Sequence, residues 1–463
     1  MKYATLIDFG STYTKVACVY LPERRVLMTG CFPSTVHTDA RIGLHQCFDA
    51  VKGAVGRAAL EESLKLSSSS AAGGLRMAVI GLTKSLSILA GRNTAFGAGA
   101  KIMASESGWL TPEDVRALEG ADIEIVLLCG GYEKGNRTMV LHNAEVLSGS
   151  GLKAPVIYAG NSGAAQMVRE ILCLGGKECF LVDNVIPAVG ELNTGPAEEV
   201  IRNLFMKRIT NMAGMDKVQE EIGEILMPTP AAVLAAGKLL SEGIEGGKGL
   251  GGVMMLDVGG ATTDVYSFIK NKGYHYARIV GAAEPDAKRT VEGDMGMRES
   301  SICVLEEAGA ESMAKSVGVT EEALRKSIEK RLLDTSFLAD TPEELRIDQE
   351  IASRAISISA RRHAGRIEKV HSKGVREIQR GKNLTKVETL IGTGGILVNG
   401  TDPDRLLQCA ALQDGEDETI LLPRTIRTLV DRDYVFYAAG LLQGYDEAAA
   451  FAIMKASLFP GGN

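Results

Sequence analysis

One turn stands twice in this sequence, and the repetition limits the possible folds more than any other feature. In Met254–Ser267 (MMLDVGGATTDVYS) an apolar strand, Val253–Leu256, runs into Asp257. Gly259, Gly260 and Ala261 follow, then the hydroxyls Thr262 and Thr263, then Asp264 and a second strand, Val265–Phe268. At the N-terminus Tyr3–Ile7 runs into DFGSTYTK, Asp8–Lys15, and then into Val16–Tyr20. A polar turn and a third extended stretch come next in each copy: Pro22–Arg25 with Val26–Thr29, and Lys270–Gly273 with Tyr274–Val280. The copies lie much further apart than the ~20–50 residues of a solenoid repeat, so the duplicated unit is a whole domain.

Glycine in a strand–turn–strand connection supplies positive φ, or bare backbone where a ligand comes close. Backbone N–H groups and hydroxyls at such a turn form a nest for phosphate oxygens. An ordinary β-hairpin accounts for either copy taken alone. With a carboxylate at both ends, a phosphate is tolerated only if Mg²⁺ sits nearby.

With 463 residues the chain exceeds the ~250–300 at which single cores stop growing, so two domains are expected. Glycine is 53 of 463 residues, above the usual ~7%, which fits many turns and backbone-lined sites. A net charge of −7 argues against a general nucleic-acid binder, which needs a basic face. No apolar run reaches the ~18 residues of a membrane span, and the N-terminus enters a strand with no signal-peptide pattern. The eight cysteines form no C-x-x-C pair and read as reduced thiols, and the six histidines show no metal spacing. A cytoplasmic protein is expected.

Between the copies, strands at Leu75–Gly81, Asp122–Leu128, Pro155–Tyr158 and Phe180–Asp183 alternate with helices, as in Ala164–Leu174. Such alternation predicts a parallel or mixed sheet covered on both faces. Its C-terminal loops, Cys129–Gly131 and Ala159–Gly163, lie where these sheets place ligands. Ser67–Gly74 reads as a small-residue loop; 82–88 reads as helix or strand. Ala197–Asn211 is an amphipathic helix with Pro196 at its first turn. Two segments, Met227–Leu240 (MPTPAAVLAAGKLL) and Asp431–Gly444 (DRDYVFYAAGLLQG), are small-residue helices of the kind a two-domain hinge requires. Glu311–Arg380 is expected to be an α-helical insertion of two to four helices without strands. Nine Lys or Arg in 361–386 make a solvated face or a docking surface for an acidic partner. Sheet resumes at Val387–Ile391, followed by the glycine turn of IGTGGILVNG (391–400) and a helix at Asp402–Leu412.

The four signals at 8–15, 228–237, 257–264 and 392–395, in that order, resemble the superfamily of actin, the DnaK-type heat-shock chaperones and the sugar kinases. The resemblance implies an α/β fold of two duplicated ribonuclease H-like (actin-like ATPase) domains around a nucleotide cleft, with an α-helical insertion in the second. The first domain is expected at 1–245, completed by 425–463. The second is expected at 246–424, its insertion at about 296–385. The resemblance also implies ATP and Mg²⁺ as cofactors. Asp8, Gly10, Ser11, Thr12 and Lys15 form one phosphate loop, and Gly259, Gly260, Ala261, Thr262 and Thr263 the other. Gly392, Thr393, Gly394 and Gly395 form the adenosine loop. Lys15 offsets phosphate charge, and Asp8 and Asp257 hold Mg²⁺ through water. Asp257 or Asp264 orients the attacking water, with Glu224 a weaker option. The chaperones carry a glutamate where this chain has Met227.

Within that superfamily AGNSGA (159–164), NVIPAVGELNTGPAEEVIR (184–202), VEGDMGMR (291–298) and PTPAAVLAAG look like one narrower family. It is the accessory protein family of adenosylcobalamin-dependent glutamate mutase, the GlmL or MutL type, unrelated to mismatch repair. The resemblance implies an ATP-dependent reactivating chaperone that frees damaged cobalamin from a glutamate mutase or a related aminomutase. No nucleic-acid or membrane partner is implied. A small-molecule kinase of the same superfamily is the alternative.

Overall fold

A computed structural model describes residues 1–10, 13–36, 38–70, 75–210, 213–372 and 375–460. The chain divides into two compact units. One comprises Met1–Ala236, Gly281–Pro285 and Tyr437–Ala452; the other comprises Gly237–Val280, Asp286–Phe436 and Ile453–Asn463.

The first unit opens with an antiparallel meander, β1 (Tyr3–Phe9), β2 (Tyr13–Tyr20) and β3 (Arg25–Pro33). Helix α1 (Ala40–Val55) starts at Asp39, whose carboxylate accepts the Arg41 N–H and caps an otherwise orphaned donor. Leu44, Cys47 and Val51 recur on one face of α1 and bury against the sheet. After α2 (Arg57–Glu61), β4 (Leu64–Ser69) runs parallel to β1.

An inserted α/β layer follows. Strands β5 (Arg76–Gly81), β6 (Lys101–Ser107), β7 (Ile125–Leu128), β8 (Val156–Tyr158) and β9 (Cys179–Leu181) alternate with helices. These helices are α3 (Leu89–Gly97), α4 (Pro112–Gly120), α5 (Thr138–Ser148) and α6 (Ala165–Leu174). All pairings are parallel in the order β6-β5-β7-β8-β9, the doubly wound arrangement 2-1-3-4-5. Both faces are covered: Met77, Val79, Ile125 and Leu127 join one core, Ala78, Ile80, Val126 and Leu128 the other. This explains why these strands read as continuous apolar runs. Helices α7 (Gly195–Thr210) and α8 (Met215–Ile222) lead back, and β10 (Met227–Pro228) joins the outer edge of β4. Helix α9 (Thr229–Glu242) and a short hairpin, β11 (Gly243–Ile244) and β12 (Gly247–Lys248), complete the passage to the second unit.

The second unit repeats the pattern. Strand β13 (Val253–Val258) pairs antiparallel with β14 (Thr263–Phe268); β15 (Arg278–Ile279) departs to another sheet, and β16 (Ala287–Glu292) pairs with β14. Helices α10 (Ser301–Ala308), α11 (Ala310–Val317), α12 (Glu321–Leu333) and α13 (Pro342–His363) form the insertion. Strands β17 (Arg366–Ser372) and β18 (Val375–Arg380) make a hairpin joined by β15. Then β19 (Thr389–Thr393) runs parallel to β13, α14 (Gly395–Val398) and α15 (Pro403–Gln408) follow, and β20 (Arg427–Val430) pairs with β19. The chain ends with α16 (Phe436–Leu442) and α17 (Glu447–Leu458). The two core sheets, β3-β2-β1-β4-β10 and β16-β14-β13-β19-β20, share one strand order, so the duplication is real. The fold is α/β, two ribonuclease H-like domains of one strand order with a helical insertion in the second. No helix among the described residues is long and apolar enough to cross a membrane.

Helix α13 shows why the insertion is helical. Thr341 caps it, Pro342 opens it, Glu343 and Glu344 lie in its first turn, and Arg361, Arg362 and His363 in its last, matching the helix dipole. Inside, Arg331 is fully buried and donates to Asp348 at 2.8 Å and to Glu344 at 2.7 Å.

Three expectations are corrected. Ser67–Ser70 does not start a loop: Leu64–Ser69 is the parallel neighbour of β1, with Ser67, Ser68 and Ser69 buried, and serine carries no strand signal. Residues 71–74 lie outside the described residues. The third strand beside β14 is Ala287–Glu292 and not Tyr274–Val280, because the Tyr274 N–H bonds the Gln379 side chain and the Val280 N–H the Gln379 carbonyl. Helix does not extend to Arg380: it ends at His363, and Arg366–Ser372 and Val375–Arg380 are paired strands whose Ile367 and Ile378 are masked by charge. Arg380 and Glu368 pair across the strands at 2.9 Å. The undecided stretch 82–88 is one π-helical turn, Lys84–Ile88, leading into α3.

Candidate functional site

The duplication extends to side-chain register. Asp8 lies opposite Lys15 on β2 and Ser68 on β4; Asp257 lies opposite Asp264 on β14 and Thr393 on β19. Each aspartate thus ends a central strand, with a hydroxyl on the parallel side and a charged partner across the hairpin. The turns close alike: the Gly10 N–H donates to the Tyr13 carbonyl at 3.0 Å, the Gly259 N–H to that of Thr262 at 2.9 Å. A Cβ on Gly10 would lie 2.6 Å from that Tyr13 oxygen, so no larger residue closes the first turn.

In the first unit Asp8 is buried. It accepts from Ser68 Oγ at 3.1 Å and from the Thr229 hydroxyl at the start of α9. Lys15 Nζ stands 3.6 Å from its other oxygen. Ser68 and Thr229 were not among the expected site residues; they come from segments distant in sequence, brought in by β4 and β10. The expected Ser11 and Thr12 lie outside the described residues.

In the second unit the carbonyls of Gly259, Gly260 and Ala261 accept from Met297 N–H, Arg298 N–H and Ser300 Oγ respectively. With its oxygens tied back by 297–300, the turn leaves its amide side to a ligand. Among the described residues no hydrogen bond takes the N–H of Gly260, Ala261 or Thr262. Thr262 Oγ1 lies 3.4 Å from Asp264, whereas the buried Thr263 hydroxyl donates to the Met295 carbonyl at 2.6 Å. In the third loop Gly394 has φ +94°, and a Cβ there would lie 2.4 Å from the Val258 carbonyl. Gly395 meets nothing within 4 Å. That loop therefore packs on the end of β13 and leaves open backbone at Gly395.

The two facing carboxylates are not equivalent. Asp264 is held by Arg289 on β16, Nε to Oδ1 at 2.7 Å, with the arginine side chain only 4% exposed. Burial works against the Arg289 charge, but Asp264 and Tyr266 outweigh it, so the guanidinium stays above its ordinary value. Sequence alone gives no sign of Arg289, because only strand pairing sets β16 beside β14. At the position that Met227 occupies in the first half, the second has Asp431, buried at the end of β20. Burial pushes its carboxyl up to about 6, against the pull of Ser457 Oγ at 2.7 Å and the N–H groups of Val435 and Phe436. It caps the start of α16. The close crossing expected of the small-residue helices is found: a Cβ on Gly440 of α16 would lie 2.0 Å from the Ala232 carbonyl of α9. The described residues include no group of three or more His, Cys, Asp or Glu able to hold a metal ion. A cation at either turn would therefore take most of its ligands from water and phosphate, as Mg²⁺ does.

The chain matches the family model described as MutL protein over residues 4–458. It is 36% identical over 452 residues to Protein MutL of Clostridium tetanomorphum, covering 97% of this chain and 98% of that one. Among solved structures it is similar to xylulose kinase from Bifidobacterium adolescentis, with 12% identity, coverage of 100% and 95%, and a TM-score of 0.32. It is also similar to the ethanolamine utilization protein EutJ from Carboxydothermus hydrogenoformans, with 11% identity, coverage of 97% and 89%, and a TM-score of 0.27.

Proposed function

The chain belongs to the MutL protein family, and on that premise we propose that it is an ATP-hydrolysing accessory protein of an adenosylcobalamin-dependent mutase, glutamate mutase or a related aminomutase. ATP turnover drives release of damaged cobalamin from that partner. The observation that carries the nucleotide reading is the repeated register: two glycine turns, each ending a central strand on an aspartate with a hydroxyl alongside.

The residues take distinct roles. The N–H groups of Gly260, Ala261 and Thr262 bind phosphate oxygens, and Lys15 with Gly10, Ser11 and Thr12 does so in the first half. Gly394 and Gly395 let backbone approach the adenosine. Asp264, neutralised by Arg289, supports the turn, which leaves Asp257 to orient the attacking water and accept its proton. Ser68, Thr229 and Lys15 hold Asp8 in a single orientation. Asp8 and Asp257 are the residues taken to hold Mg²⁺ through water, and the ion when bound supplies charge neutralisation of the phosphates. The domains are taken to follow the two compact units, with β20 in the second and 437–452 returning to the first. Helices α9 and α16, inside which the boundary between the compact units falls, carry the change that follows hydrolysis to the partner.

The test is phosphate release from ATP by the purified chain, with and without a mutase holding inactive cobalamin. Release raised by that complex and lost in Asp257→Ala supports the reading; release raised by a sugar or small acid and indifferent to the mutase supports a kinase.

A further inference from the structure

The second unit has an open cavity of about 370 Å³ at the end of its sheet away from the glycine turn. Gly252 at its wall and Asp257 at the turn are five strand residues apart, roughly 16 Å at ~3.3 Å per residue. The cavity is therefore not the phosphate turn. Its mouth carries Lys238 from α9, Lys270 and Lys272 from the loop after β14, and Lys386 from the approach to β19. All four are exposed, and none forms an ion pair among the described residues. Two carboxylates on the lining, Glu242 and Asp286, leave the lysines in excess, in a chain whose net charge is −7. The floor is apolar, formed by Phe268 and Ile269.

The frame of the cavity is fixed from beneath. Buried Lys382 donates to the carbonyls of Ser267 at 3.2 Å and Asp286 at 2.7 Å, joining the strand ends behind the floor. Asn383 Nδ2 donates to the Lys272 carbonyl at 3.1 Å and holds the lysine loop. The Phe268 ring presses on α9 so closely that a Cβ on Gly237 would lie 2.3 Å from it. Like charges gathered around an apolar floor repel one another until an anion enters, and such a concave wall focuses their field on it.

We propose that this cavity binds a small organic polyanion, with at least two negative groups for the lysines and an apolar or planar body against Phe268. The proposal is independent of the nucleotide reading. The probe is naphthalenedisulfonate, titrated calorimetrically at low ionic strength into the full chain, the pairs Lys238→Gln/Lys386→Gln and Lys270→Gln/Lys272→Gln, and Asp257→Ala. Each lysine pair is expected to weaken binding at least about tenfold, added salt to weaken it further, and Asp257→Ala to leave it unchanged. Melting curves check that each pair folds; where one does not, the single substitutions replace it. No binding to the native chain, binding indifferent to the lysines, or capture of a polyglutamate peptide in preference to the dianion would overturn the proposal.

Discussion

Arg289→Met tests the electrostatic logic of the second turn. Arg289 is 4% and Asp264 14% exposed, their closest atoms are 2.5 Å apart, and Asp257 faces Asp264 across the hairpin. Methionine fills the space but leaves the mostly buried Asp264 carboxylate without its arginine and with another carboxylate opposite it. Removing one member of a buried pair costs about 3–5 kcal/mol, most of it the stranded charge rather than the lost bond. At roughly 2–4 °C per kcal/mol for a unit of this size, the transition of the second unit falls by about 6–20 °C in calorimetry. Adding Asp264→Asn removes the stranded charge, so the double variant recovers half or more of that loss, a coupling of about 2 kcal/mol or more. A single variant within about 1 kcal/mol of the native protein, or a double variant as unstable as the single, would refute the reasoning.

Other consequences are equally open to measurement. The Asp431 carboxyl is raised to about 6 in the folded chain, above the ~3.9 of an unfolded one. Its protonated form therefore favours folding below pH ~4, and that contribution is lost as pH rises through 6. In thermal melts Asp431→Asn is expected to remove up to about 3 kcal/mol of pH dependence between pH 4 and 6, relative to the native protein. Gly440→Ala forces a methyl into the Ala232 carbonyl and is expected to cost at least about 1–3 kcal/mol, whereas Gly444→Ala meets nothing within 4 Å and is expected to be near neutral. Paired urea melts of the two variants make that comparison. Exposed Cys31 lies opposite Lys15 on the meander, while Cys18, Cys47 and Cys129 are buried with their thiols pushed up by burial. Alkylation mapped by mass spectrometry is expected to reach Cys31 and Cys173 first, and ATP to slow it at Cys31 only.

What the sequence disclosed followed from local signals. The D-x-G turns showed themselves because the same strand–turn–strand pattern stands twice, although either copy alone reads as an ordinary hairpin, and the small-residue helices because their composition permits close approach. Strand β4 stayed hidden because its C-terminal half is Ser67, Ser68 and Ser69, all buried. The paired strands Arg366–Ser372 and Val375–Arg380 stayed hidden because charge overlays their period of two. The partners that distinguish the carboxylates were beyond local reading: Thr229 stands 221 positions from Asp8, and Arg289 lies on a strand whose place only pairing reveals. Within the candidate site, the sequence marked the backbone turns, and the structure added the side chains that hold their charges.

The central claim, that the duplicated turns bind ATP for hydrolysis, is tested most directly by titrating a fluorescent ATP analogue into the chain with Mg²⁺ and following phosphate release in the same sample. Saturable binding with slow release is expected in the native chain. Asp257→Ala is expected to keep binding within about tenfold while release falls at least about a hundredfold, the loss typical of a residue that orients the nucleophile. No saturable binding to the native chain, or release unchanged in Asp257→Ala, would contradict the account.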